Sequence, residues 1–289
     1  MRAAAPGTRA DNPRQREEAT MPLCVTGMHR SGTSMVARLL NVCGLDLGPE
    51  ADLLPPAFDN PAGFWENADF LRLNDALLRA GGGSWRCPAA PAGDDAGLRA
   101  RALRLVGGNA FREPWGWKDP RCCLTLPFWR GLVPGLRVLV CVRDPLAAAR
   151  SLAARGDVPY GEALALWLEY NRRALAAVPP AERVVTHYES YFRAPRAELR
   201  RVLRLLDLLP PRGAVRRACA GIVPTLAHHR AAPGDLESAG LPDGLAACYR
   251  ALCEEAGWRP AAIQPAAAQH ARKSRGPAAP RPAPPAVPG

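Results

Sequence analysis

Residues 23 to 47 restrict the fold more than any other stretch of the chain. Leu23 to Val25 are apolar and predict a short buried strand, and Met35 to Val42 predict a helix. Between them runs Gly27-Met-His-Arg30-Ser-Gly32-Thr-Ser34, a small, polar turn bracketed by glycines. A strand that enters a helix through such a turn offers unpaired backbone N–H groups. It also offers the positive end of the helix dipole, so the turn suits an anionic group.

The turn is close to the phosphate-binding pattern G-x-x-x-x-G-K-[ST], with one change. Gly27 and Gly32 keep the spacing, but Thr33 stands at the lysine position and Ser34 follows. The cation has moved inside the loop, as Arg30. In the triphosphate version the lysine reaches the β- and γ-phosphates and the next hydroxyl holds Mg²⁺. A loop lacking that lysine suits a nucleotide with a shorter 5′ group.

Three further stretches follow in order. They are Trp117-Lys118-Asp119-Pro120, then Val140-Cys-Val-Arg143-Asp-Pro145 with Ser151 eight residues after the arginine, then Val185-Thr-His-Tyr188-Glu189. With the glycine-bracketed turn, these segments resemble those of sulfotransferases. The loop resembles the one that grips the 5′-phosphosulfate of 3′-phosphoadenosine-5′-phosphosulfate (PAPS). Lys118 to Pro120 resemble the Lys-Asp-Pro segment of tyrosylprotein sulfotransferases. Arg143 and Ser151 resemble the pair that binds the 3′-phosphate, and Tyr188 the residue near the adenine. The resemblance spans roughly residues 22 to 210. Gly63-Phe-Trp-Glu66 is similar to a segment of bacterial-type members. The family implies a single α/β domain, with a parallel sheet flanked by helices in a P-loop-NTPase-like architecture.

The resemblance also implies roles. Arg30, Ser31, Gly32, Thr33 and Ser34 would hold the 5′-phosphate and bridging oxygen, with Arg30 also stabilising the transition state. Lys118 would neutralise the sulfuryl group in flight. Arg143, Ser151 and Tyr188 would bind the rest of the nucleotide. No histidine lies where cytosolic sulfotransferases place their base. His29 is inside the loop and His187 adjoins Tyr188. Two glutamates remain as the base, Glu66 and Glu50. Glu66 is preferred because the adjoining aromatics, Phe64 and Trp65, could raise its pKa and build an acceptor pocket. The Arg-Lys-Gly segment that closes the 3′-phosphate site of cytosolic members has only Arg272-Lys273-Ser-Arg-Gly276 as a counterpart, and its role is not carried over.

Charge and composition narrow the partners. The net charge is +11, carried almost wholly by arginine, which suits bidentate contact with phosphate or sulfate. It would also suit nucleic acid. No basic stretch interleaved with aromatics, zinc-finger spacing or RNP-like run accompanies it, so no nucleic-acid partner is expected. Lys118 and Lys273 are the only lysines, which hints at a specific use for Lys118. The nine cysteines include no Cys-x-x-Cys pair, so a reducing compartment without disulfides or zinc is expected. No apolar run has the length of a membrane span, and a cytoplasmic location is expected.

Along the chain, residues 1 to 20 are read as disordered, 21 to 258 as the sulfotransferase domain, and 259 to 289 as a disordered Pro/Ala-rich tail. Met21 is a possible alternative start. Helices are expected over 64–78, 97–107, 145–155, 160–178, 194–208 and 243–256, and strands over 115–118, 136–142 and 183–186. The prolines of 49–63 exclude a regular helix there. The expected activity is transfer of a sulfuryl group from PAPS, without a metal, to a hydroxyl or amine. The acceptor class, glycan, lipid or small molecule, is open. The alternatives are a kinase using ATP and Mg²⁺, or a nucleotide-binding protein without catalysis.

Overall fold

The computed structural model describes residues 22–58, 60–89, 95–108, 111–156, 158–222 and 241–259. Of the segments read as disordered, 1 to 20 and 259 to 289, all but Arg259 lie outside these residues, as does Met21. Four strands, β1 (Leu23–Thr26), β2 (Gly116–Lys118), β3 (Arg137–Val142) and β4 (Arg183–His187), form one sheet. Its order is β2-β1-β3-β4 and every pairing is parallel. Parallel strands need crossovers, and helices supply them, which leaves both faces of the sheet covered.

The strand sequences assign the two faces by alternation. In β3, Val138, Val140 and Val142 point into one core and Leu139 and Cys141 into the other. The first core is built with α2 (Ala68–Ala80), α4 (Cys122–Leu132), α5 (Pro145–Ala153), α6 (Tyr160–Ala177) and α10 (Leu245–Glu255). Its centre is aromatic. Phe70 stacks on Trp117 at 4.6 Å, and Trp129 tilts against both. The second core is built with α1 (Thr33–Val42), α7 (Ser190–Arg193), α8 (Pro195–Leu205) and α9 (Ala214–Ala220). The remaining helix, α3 (Ala96–Gly107), packs on α2 and α4.

Several boundaries differ from the sequence expectation for local reasons. The helix expected from Phe64 begins at Ala68, because Asn67 caps it by accepting from the N–H groups of Asp69 and Phe70. Phe64, Trp65 and Glu66 are therefore outside the helix, with Trp65 at φ 61°. The helix α4 has no counterpart in the sequence reading. Pro127 interrupts its pattern, yet Cys122 to Leu126, Trp129 and Leu132 are buried and hold it in place. By contrast Asp144 and Pro145 start α5 as expected, with Asp144 accepting from the Ala147 N–H at 3.0 Å.

Candidate functional site

All the carboxyl ends of the sheet strands open on one place. The loop 27–34 leaves β1, Lys118 ends β2, Arg143 follows β3 and Tyr188 follows β4. Ligands of open parallel sheets bind at such ends. The loop is forced close to its neighbours. A Cβ on Gly27 would stand 2.2 Å from the Cys141 carbonyl oxygen, and one on Gly32 would stand 2.2 Å from Cδ2 of Tyr188. Gly32, at φ 84°, starts α1, which has no side-chain cap and no acidic residue in its first turn. Its first N–H groups and dipole therefore face whatever occupies the loop. The Ser31 N–H is already used by the Met28 carbonyl at 3.1 Å, which narrows the expected set of backbone donors to those after Ser31. Ser31 Oγ is enclosed with no hydrogen-bond partner among the described residues.

Two clusters of side chains flank the loop. In the first, Arg143 donates from Nη1 to the Arg30 carbonyl at 3.1 Å, and its guanidinium lies 4.6 Å from the Tyr188 ring centroid. Arg30 donates from Nε to Ser151 Oγ at 3.0 Å. Arg30 thus connects Arg143, through its carbonyl, to Ser151, through its side chain, and Ser151 meets Arg30 rather than Arg143. Arg30, Arg143, Ser151 and Tyr188 come together in one place.

In the second cluster, Lys118 Nζ donates to Glu66 Oε1 at 2.7 Å, to the Phe64 carbonyl at 3.0 Å and to Ser34 Oγ at 3.2 Å. The pair is buried, at 2% and 8% side-chain exposure. Glu66 Oε2 has no partner among the described residues. Glu50 sits exposed on the short 3-10 turn Glu50–Asp52, and no hydrogen bond or ion pair joins its side chain to these groups. Of the two glutamates that the sequence left open, Glu66 lies in this cluster and Glu50 does not.

Some participants were not singled out by the sequence reading. Asn60, on the Pro-rich loop, donates to Ser34 Oγ at 3.3 Å and to the Gly63 carbonyl at 2.7 Å, tying that loop to the Gly27 to Ser34 turn. Asn74, fully buried on α2, donates to Asp119 Oδ2 at 2.8 Å and accepts from Thr125 and Trp129. Asp119 also receives the Arg121 N–H and guanidinium. Burial lifts the Asp119 carboxyl to about 6, and Arg121 and Glu66 act on it in opposite senses. This network anchors the residue next to Lys118. The helical spacing of Asn74 with Phe70, Leu77 and Leu78 was the available signal, because an amide on a buried face needs several partners.

His29 turns away from the loop onto aromatic rings, 4.8 Å from Trp85 and 5.7 Å from Tyr170. Its Nε2 is enclosed without a partner among the described residues. Burial, followed by the charges of Arg121 and Lys118, pushes the imidazole well below its ordinary range, so it stays neutral. Among the described residues no group of His, Cys, Asp and Glu is arranged to hold a metal ion, and no helix is long and apolar enough to cross a membrane.

The model of the Sulfotransferase family matches residues 22–209, and the chain belongs to that family. The computed structure is similar to sulfotransferase STF9 from Mycobacterium avium, with a TM-score of 0.52 at 16% identity over 84% of this chain and 79% of that one. It is also similar to a sulfotransferase from Alicyclobacillus acidocaldarius, at TM-score 0.45 and 15% identity over 83% and 97% of the two chains. No curated protein matches the sequence. At 16% identity the likeness to the Mycobacterium avium enzyme speaks for the fold alone. The four-stranded parallel sheet with helices on both faces is the sulfotransferase, P-loop-like α/β architecture.

Proposed function

We propose that the protein transfers a sulfuryl group from PAPS to a hydroxyl or amine and releases adenosine 3′,5′-bisphosphate. The observation that carries this reading is the gathering of Arg30, Lys118 and Arg143 around the start of an uncapped helix at the carboxyl ends of the sheet. Three fixed cations and a helix N-terminus suit a nucleotide with phosphate at both ends. PAPS, when bound, supplies the activated sulfuryl group.

The chain's residues do the rest. The α1 N-terminus and Arg30 receive charge at the 5′ end. Arg143 serves the 3′-phosphate and Tyr188 the adenine, while Ser151 holds Arg30. Lys118 offsets charge on the sulfuryl oxygens. Glu66 Oε2 takes the acceptor's proton as the acceptor oxygen or nitrogen bonds to sulfur. The bridging S–O bond breaks at the same time, and its electron pair leaves on the phosphate. Holding acceptor, sulfur and leaving oxygen in line is the main service of such a site. The domain that does this extends over residues 21 to 258.

A thermal-shift comparison tests the nucleotide assignment. A ligand that binds only the folded chain raises its melting temperature by mass action. Adenosine 3′,5′-bisphosphate should raise the melting temperature of the wild type, and Arg143→Ala should lose the shift. A shift with ATP and Mg²⁺ alone would instead favour a kinase. That reading is opposed by Thr33 at the lysine position and by the engagement of Ser34 Oγ with Lys118 and Asn60.

A further inference from the structure

Arg143 also faces a carboxylate on the side away from the loop. Its Nε lies 3.7 Å from Glu189 Oε1, an ion-pair distance longer than a hydrogen bond, with the arginine side chain 7% exposed. The other carboxylate oxygen of Glu189 lies 2.9 Å from Nδ1 of His187, an ion-pair distance without the alignment of a full hydrogen bond. His187 Nε2 in turn lies 3.1 Å from the Tyr249 hydroxyl on α10. The imidazole is completely buried and stacks on Trp258 at 4.6 Å, with the planes 8° apart. A second path joins the same two places. Trp167 Nε1 donates to the Arg143 carbonyl at 3.1 Å, and the edge of Tyr249 meets Trp167 at 5.9 Å.

The first path is continuous in space. The Tyr249 hydroxyl lies within hydrogen-bond distance of His187 Nε2, Nδ1 of the same ring faces the Glu189 carboxylate, and the carboxylate faces the guanidinium. The backbone carbonyl of Arg30 fixes a further edge of that guanidinium, and the Tyr188 ring covers one face. A planar fork is selective for phosphate only when its plane is fixed. A charged group whose own rotamer is locked by a supporting contact is more selective than one left mobile.

We propose that Glu189, backed by His187 and Tyr249, is a positioning residue that sets the plane of Arg143. The helix α10 thereby controls the preference for adenine nucleotides bearing a 3′-phosphate over those bearing a 3′-hydroxyl. This rests on the nucleotide reading of the site given above. It assigns the described C-terminal helix a role in recognition without direct contact with the ligand. Tyr249→Phe is the gentlest probe, since it removes one oxygen and keeps the ring against Trp167.

The test is isothermal titration calorimetry of adenosine 3′,5′-bisphosphate and of adenosine 5′-phosphate. The proteins are the wild type, Glu189→Ala, Glu189→Gln and Tyr249→Phe. The readout is the ratio of the two dissociation constants, which a general loss of stability does not move. The wild type should prefer the bisphosphate by about tenfold or more, the scale of one charge-assisted contact. Tyr249→Phe should lower that preference about threefold and Glu189→Ala about tenfold, with Glu189→Gln recovering part of it. Equal weakening of both nucleotides, an unchanged ratio or a ratio that rises in Glu189→Ala would each overturn the positioning role while leaving the nucleotide assignment standing. A wild type that shows no preference for the bisphosphate would overturn both.

Discussion

Removing the Glu66 carboxylate strands the Lys118 ammonium inside the protein. The pair is enclosed and 2.7 Å apart, so solvent screens it little. Truncating one member of a buried pair typically destabilises by about 3–5 kcal/mol. Lys118 would keep the Phe64 carbonyl and Ser34 Oγ as acceptors, which places Glu66→Ala near the lower end, about 3 kcal/mol. For a domain of this size that corresponds to a fall in melting temperature of roughly 6–12 °C. Replacing both residues by apolar ones of similar volume removes the desolvation of two charges together. Lys118→Met with Glu66→Leu should therefore recover most of the loss. Urea denaturation of Glu66→Leu, Lys118→Met and the double variant measures the coupling directly. A coupling of at least about 2 kcal/mol is expected. If the two changes add within about 0.5 kcal/mol, the buried pair does not hold the site together and the reasoning fails.

Gly32→Ala should destabilise by at least about 1 kcal/mol and weaken nucleotide binding, because its Cβ would enter the Tyr188 ring at a left-handed backbone position. Melting and nucleotide titration of that variant check both effects. The pH dependence carries two opposed contributions. His29 is depressed in the folded state, so its contribution is present above the unfolded value of about 6.5 and is lost as pH falls below it, by up to about 1.4 kcal/mol per pH unit. His29→Phe should flatten that limb of the stability profile, and an unchanged limb would refute the assignment. Asp119 is raised to about 6, so its contribution runs the other way and is lost as pH rises from about 4 to about 6. Asp119→Asn should remove that decline in denaturation midpoints measured across the same range.

The sheet and the turn from Gly27 to Ser34 were legible because their signals are local. A run such as Leu136 to Val142 between Pro134-Gly135 and Asp144-Pro145 has few alternative conformations. The Gly27 to Ser34 spacing likewise admits few structures. The gathering of Arg30, Arg143, Ser151 and Tyr188 was foreseen through the family resemblance. The sequence alone left the reach of Arg143 to Ser151 open; in the structure Ser151 Oγ accepts from Arg30. What was not legible depends on contacts distant in sequence. Glu66 and Lys118 are separated by 52 positions, and nothing local says that one closes on the other. Asn74 and Asp119 meet across 45 positions for the same reason. The helix α4 was hidden by Pro127, whose penalty is offset by burial of Trp129 and its neighbours.

The most direct test of the account is to incubate the protein with PAPS carrying a radioactive sulfur and a mixture of hydroxyl- and amine-bearing compounds. The account predicts that label moves onto an acceptor while an equal amount of adenosine 3′,5′-bisphosphate appears, without added metal. Arg30→Ala should abolish both. Label that stays on a tightly bound nucleotide with every acceptor, or transfer that Arg30→Ala leaves intact, would contradict it.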